Sequence, residues 1–236
     1  FAWKKIIILY FMKKIYTFIL FLSVTIGFAQ TPYYPATYYN TATGTGYTLK
    51  TQLYNIIKST ISSGGYDGLY TTYLTSDRDY YYENDGTVLD MYSENPSGSD
   101  SYNYSATNTG DRCGNYAVEG DCYNREHIIP QSVFNENSPM LSDAHSITPT
   151  DGKVNGWRSN HPHGKVGTAS VTTQNGSKLG SASNSGYAAG YSGTVFEPID
   201  EFKGDIARML LYFAVRYENQ VASWSFPMFN GTSNQV

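Results

Sequence analysis

Residues Asn124 to Ser132, NREHIIPQS, constrain the fold more than any other stretch, because an acid and a base, Glu126 and His127, sit against an Ile-Ile run that reads as a buried strand. Downstream, DAHSITPTDGKVNGWRSNHPHG reads as a second strand and a helix start. Thr148 is the expected N-cap, Pro149 the first helical residue and Asp151 the acid three residues after the cap. That start places Asn155 in the second turn, with Arg158 three residues on and on the same face. His161 precedes Pro162, so the helix should end by Asn160. Strand, strand and short helix predict an α+β fold with a β-β-α unit at its centre, flanking helices and a small mixed or antiparallel sheet.

The rest of the chain supplies the flanks. Leu49, Leu53, Ile56, Ile57 and Ile61 recur at helical spacing, with Thr48 as N-cap and Gly64-Gly65 as the stop. Asn84-Asp85-Gly86 signals a turn before TVLDMYS, Thr87 to Ser93, which reads as a strand. Ser97 to Gly110 is a polar loop. Val166 to Thr173 followed by Gln174-Asn175-Gly176-Ser177 is a hairpin signal. Phe202, Ile206, Met209, Leu210, Phe213, Ala214 and Tyr217 form an apolar stripe that predicts a long helix from about Pro198 to Asn219.

The N-terminus speaks to the compartment. Met12 is followed by Lys13 and Lys14, an apolar run from Ile15 to Ile26, and Gly27-Phe28-Ala29 before Gln30, in the order of a secretory signal cut after Ala29. The run is short for the roughly 20 residues of a membrane span, so no membrane anchor is expected in this chain. Residues 1–29 are therefore set apart as upstream residues and leader, 30–46 reads as a Pro- and Tyr-rich extended arm, and 47–236 as one domain. Loss of Lys4, Lys5, Lys13 and Lys14 takes four of the 16 basic residues and leaves a formal charge of −8 against 20 acidic ones. Bulk charge then does not attract polyanions, and any nucleic acid would have to be held by a cation and a few placed Arg and Lys. Charged residues are only 15% of the chain while Tyr numbers 23, so Tyr, Ser, Thr and Asn build the surface, which suits an extracellular protein.

Two cysteines remain, Cys113 and Cys122, across a short Gly-containing loop. In an oxidising compartment they are expected to form a disulfide anchoring the loop that feeds the Glu-His strand, with a zinc pair as the alternative.

Glu126 and Asn155 offer hard oxygen ligands of the kind Mg²⁺ takes, and His127, free of metal, is suited to take a proton from water near neutral pH. On a regular strand Glu126 and His127 point to opposite faces, and a twist or bulge would be needed to aim both at one cleft. CYNREHIIP, DAHSITPTDGKVNGWRSN and FKGDIARMLLYFAVRY together resemble the secreted bacterial endonuclease I family, non-specific nucleases of the ββα-metal (His-Me finger) type, from about Thr48 to the end of the chain. The resemblance implies Mg²⁺-dependent cleavage of DNA, and often RNA, to 5′-phosphate products, with Ca²⁺ or Mn²⁺ as substitutes. It implies Glu126 and Asn155 as metal ligands, His127 as general base and Arg158 as a phosphate contact. Family members continue past FPMFNGTSNQV with further helices, so the chain is expected to be C-terminally truncated. Nucleic acid is the implied partner, and no stable protein partner is.

Other residues have weaker readings. Asp143 and His145 either orient the site or form a structural hydrogen-bond pair. Arg125 and Lys203 are possible phosphate contacts. His161 and His163 read as a solvent-exposed loop, and Asp205 with Arg208 as an ion pair on a helix surface. The rival functions are a non-catalytic secreted binding protein on the same fold and a zinc phosphodiesterase using His145, His161 and His163.

Overall fold

A computed structural model describes residues 35–59, 64–185 and 190–229. The leader, Ile61 and the last seven residues lie outside the described residues. Ala36 to Thr41 form consecutive turns in place of an extended arm, with the Tyr38 amide donating to the Pro35 carbonyl at 2.8 Å. The unit from Ala42 onward carries the rest of the fold.

Helices and two small antiparallel sheets make an α+β architecture. Helix α1 spans Gly46–Ile57 and starts from Thr45, three residues ahead of the expected cap. Its Leu49, Leu53, Ile56 and Ile57 are half-buried, and it packs against the long helix Asp200–Arg216, while Thr51 Oγ1 donates to Glu218 Oε1, just beyond that helix, at 2.7 Å. A single-turn helix α2, Leu69–Thr72, follows. The expected strand Thr87 to Ser93 does not form. Only Val88 bridges, to Arg78, and Asp90 to Glu94 close a turn instead, in which the amides of Ser93 and Glu94 donate to the Asp90 carbonyl. The Asp90 carboxylate explains the difference: it accepts from the backbone of Tyr92 and, across the fold, from Thr150 and Asp151.

Strand β1, Tyr123–His127, pairs antiparallel with β2, Ile147–Asp151, so that Glu126 lies opposite Thr148 and His127 opposite Ile147. The strand stops before the two isoleucines, which part company. Ile128 packs with Tyr92, Val154 and Phe196, and Ile129 with Phe134, Phe213 and Trp224. β1 thus runs between two apolar clusters, and a third, around Tyr73, Tyr104 and Ile147, backs its N-terminal end through Tyr123.

Helix α3, Gly152–Arg158, follows β2 directly and packs on both strands. Its cap is Asp151, which accepts from the Val154 amide at 2.8 Å; Thr148 and Pro149 belong to β2. Strand pairing and the Asp90 bond to Thr150 hold Thr148 and Thr150 in β2, so the helix starts three residues later than expected and Asp151 caps it. Ser159 closes the helix, one residue inside the expected limit.

The Cys113–Cys122 disulfide is formed, and its loop lies across α3. A Cβ at Gly152 would come within 2.5 Å of Cys113 Sγ, and one at Gly156 within 2.8 Å of Tyr116 Oη, so the i, i+4 glycines of DGKVNG make room for the loop. The second sheet is β3 (Val166–Thr172), β4 (Lys178–Ala182) and β5 (Thr194–Glu197), with the expected hairpin turning at Gly176, φ 93°. Helix α4, Asp200–Arg216, buries Phe202, Ile206 and Phe213 of its stripe, and a short α5, Glu218–Val221, turns off after Tyr217.

Candidate active site

An open cleft of about 570 Å³ runs along β1 and the face of α3, and Glu126, His127, Asn155 and Arg158 all border it. Asn124, Arg125, Tyr66 and Tyr70 complete one wall.

Glu126 is 2% exposed. Its Oε1 accepts from Arg158 Nη1 at 2.9 Å and from the Tyr92 hydroxyl at 2.9 Å. Burial pushes its carboxyl up to about 7, against the opposing pull of Arg158 and Tyr92. Such a carboxylate favours a further cation beside it.

Tyr92 carries a relay. Its hydroxyl proton goes to Glu126, so the 2.7 Å contact with His163 Nε2 must be a donation from the imidazole. His163 is therefore not the exposed loop residue expected from the sequence. It is docked on the far side of Tyr92, and burial drives its pKa well down, so the ring is neutral. His145 is exposed and meets the Tyr212 ring edge-on, with ring centroids 5.1 Å apart. The structure does not gather His145, His161 and His163 as ligands: no group of three potential ligands among the described residues includes any of them.

His127 is fixed by a different contact. Its Nε2 lies 3.1 Å from the carbonyl oxygen of Leu141, which can only accept, so Nε2 carries the hydrogen. The lone pair is thereby placed on Nδ1, which is buried and has no hydrogen-bond partner in the protein. Burial lowers the imidazole pKa to about 4, with the Arg125 and Arg158 charges adding to the effect and the Leu141 bond and, least, the Arg125 backbone opposing it. The ring is an unprotonated base at neutral pH.

Asp143 acts behind that contact. It follows the 3₁₀ turn Met140–Ser142 that presents Leu141, and its Oδ2 accepts from the hydroxyls of Tyr217 at 2.7 Å and Tyr212 at 3.0 Å. The turn is thereby tied to α4. Asp143 also accepts from the His145 amide at 3.1 Å, a backbone bond that leaves the His145 ring outside the site.

Arg158 is not a free cation on the cleft wall. It is 1% exposed, and besides Glu126 its Nη1 and Nη2 donate to the carbonyls of His127 at 2.7 Å and Ile128 at 2.6 Å. The guanidinium clamps the end of β1 from behind, because the chain leaves the strand at His127 and its carbonyls would otherwise be unpaired.

Asn155 is half-buried, and its Nδ2 donates to Asn124 Oδ1 at 2.6 Å, which leaves its amide oxygen as an acceptor. Arg125 lies 3.5 Å from the ring centroid of Tyr66 and 4.5 Å from that of Tyr70, and Arg112 covers Tyr70 at 4.4 Å. Arg125 Nη1 also donates to the Tyr66 carbonyl and pairs with Asp67. Lys203 belongs elsewhere: it pairs with Glu197 at 2.5 Å and with Asp200, and it does not border the cleft. Asp205 and Arg208 form the expected helix-surface ion pair.

Sequence reasoning missed Tyr92, His163 and the Leu141 carbonyl. Tyr92 stood in a stretch read as strand, and a backbone carbonyl leaves no signal in side-chain patterns.

The residues suit a divalent cation. The set is all oxygen, from one buried carboxylate with an elevated pKa and one amide, and a neutral histidine stands beside them. Comparison with known proteins points the same way. The chain is 33% identical over 186 residues to an extracellular ribonuclease of Bacillus subtilis, covering 77% of this chain and 54% of that protein. It is 37% identical over 98 residues to an extracellular ribonuclease of Bacillus amyloliquefaciens, covering 41% of this chain and 29% of that protein. The chain thus spans about half the length, or less, of the curated relatives it matches. No solved structure matches it. The endonuclease I family model matches residues 45–236, which include β1, α3 and the whole cleft, and the chain belongs to that family.

Proposed function

We propose that the protein is a secreted, Mg²⁺-dependent endonuclease that hydrolyses the phosphodiester bonds of DNA and RNA without sequence preference. The observation that carries this reading is His127 Nδ1, a buried, unprotonated and unpartnered nitrogen whose tautomer is fixed by the Leu141 carbonyl. His127 borders the same cleft as Glu126 and Asn155. The β1–β2–α3 unit is the ββα-metal element of this proposal.

His127 Nδ1 takes the proton of a water molecule, which attacks phosphorus in line with the departing 3′-oxygen. The products then carry 5′-phosphates. Glu126 and Asn155 would hold the cation, and Mg²⁺ when bound supplies the positive charge that stabilises the crowded phosphoryl oxygens and the leaving group. Arg158 and Tyr92 hold the Glu126 carboxylate in place. Tyr66 and Tyr70, backed by Arg125, offer faces on which bases can stack irrespective of sequence. The relatives' printed name supports RNA among the substrates and an extracellular site of action, and the disulfide accords with an oxidising compartment.

The test is degradation of plasmid DNA and of RNA by the mature protein with Mg²⁺ or EDTA, alongside His127→Ala. Cleavage that needs both Mg²⁺ and His127 is the expected result. A folded protein that binds nucleic acid without cutting it would instead make the chain a binding protein on a nuclease fold.

A further inference from the structure

A second acidic group lies apart from the cleft-lining residues. Glu83, Glu94 and Asp100 each present a carboxylate oxygen, and these oxygens lie within 4.8 Å of one another. Glu94 is 1% exposed, and neither of its carboxylate oxygens meets a donor from outside the cluster; only the Glu83 carboxyl is close enough to share a proton with it, and Oε2 of Glu83 has no donor either. None of the ion pairs among the described residues involves any of the three. Asp100 Oδ1 accepts from the Asn95 amide at 2.6 Å, which fixes its direction without neutralising it. The further charges acting on Glu94 and Asp100 include another carboxylate, Asp79.

Buried carboxylates without donors are costly, and three together repel one another. Only protons or a cation can neutralise them. With no cation, burial and the neighbouring carboxylates push Glu94 up to about 9, and burial takes Asp100 to about 6. Protons are thus the competing occupant.

We propose that Glu83, Glu94 and Asp100 bind one calcium ion at a site separate from Glu126 and Asn155. The donor set is all oxygen, which disfavours softer metals that seek nitrogen or sulfur. Ca²⁺ accepts several carboxylates in irregular, mono- or bidentate arrangements, whereas Mg²⁺ demands a near-ideal octahedron and keeps its waters. The position gives the ion a structural task. Glu94 closes the turn that begins at Asp90 and carries Tyr92, the hydroxyl donor to Glu126. Glu83 follows Tyr82, whose ring packs on Phe202 of α4 at 5.7 Å. A cation here ties the loop around Glu83 and the loop ending at Asp100 to that turn. The proposal does not depend on the nuclease reading.

The test is calorimetric titration of CaCl₂ into the EDTA-stripped full chain, with melting temperature read in EDTA and in excess Ca²⁺. Three variants are compared: Glu94→Gln, Asp100→Asn and Glu126→Gln. Glu126→Gln should retain a calcium site and the calcium-induced rise in Tm. Glu94→Gln and Asp100→Asn should each weaken that site more than about tenfold, because ligand charge sets Ca²⁺ affinity. In EDTA near neutral pH, Glu94→Gln should melt above the native protein, since the native cluster must take up a proton at Glu94 on folding and glutamine need not, and in Ca²⁺ the order should reverse. This crossing is not expected of a merely disruptive substitution. Unchanged calcium binding in both cluster variants, or no calcium uptake by Glu126→Gln, would overturn the proposal and leave the cluster neutralised by protons.

Discussion

His127 and Arg158 have separable roles that single substitutions can resolve. His127 is held by a backbone bond at Nε2 and leaves the Nδ1 lone pair unpaired, so His127→Ala should lower turnover by about 10² to 10⁴, the usual share of a general base. The check is single-turnover cleavage at saturating Mg²⁺, with circular dichroism showing that the protein is folded. Asn155→Ala should instead raise the Mg²⁺ concentration needed for half-maximal rate while sparing the rate at saturation. Arg158 is a buried clamp on Glu126 and two carbonyls, so Arg158→Ala should cost about 3 to 5 kcal/mol of stability in urea unfolding. A variant of native stability with only weakened substrate binding would return Arg158 to the role of phosphate contact. The residue types at these positions were legible in NREHIIPQS and GKVNGWR, but the state of each was not. Glu126 and His127 flank the Arg158 clamp because of bonds reaching about thirty residues along the chain, and the tautomer of His127 depends on the carbonyl of Leu141.

Among the elements, α3 depends on what starts it and what lies on it. Asp151 caps the helix and at the same time accepts from the Tyr104 hydroxyl at 2.6 Å and the Gly120 amide at 2.8 Å. Asp151→Ala should therefore cost at least the cap value of about 1 to 2 kcal/mol. Thr148, the cap expected from sequence, sits in β2, so Thr148→Ala tests the register: a loss of cap size there would place the helix start three residues earlier. The disulfide closes a short loop over Gly152 and Gly156, and replacing both cysteines by serine should cost about 2 to 3 kcal/mol on the chain-entropy model. Thermal unfolding under non-reducing conditions measures it. The hairpin at Gly176 and the stripe of α4 were readable because turn chemistry and apolar period are local. The strand expected at Thr87 was not, because the Asp90 carboxylate draws that segment into a turn with partners on β2.

For the whole molecule, three apolar clusters and a set of buried polar bonds fix the cleft against α4. One half-buried acid outside both carboxylate sites, Asp77, should give stability a pH signature. Burial raises the Asp77 carboxyl to about 6 from an ordinary 3.8. The folded state thus takes up this proton before the unfolded chain does, and the contribution is present below about pH 4 and lost as pH rises through about 6. Asp77→Asn removes the charge, so at pH 8 it should be more stable than the native protein, with the gap closing by pH 4. Urea unfolding across that range checks it, and a gap independent of pH would mean an ordinary carboxyl. Sequence by itself determined the α+β class, the disulfide pair, the hairpin, the long helix and the residue types offered to the cleft, since each rests on local period, capping chemistry or composition. Tertiary structure alone decided that Arg158 faces inward, that His163 and Tyr92 support Glu126, that Lys203 stands apart and that Asp151 starts α3. Those outcomes rest on buried donors and acceptors distant in sequence, each of which must find a partner when water is excluded, and spacing along the chain does not say which partner wins.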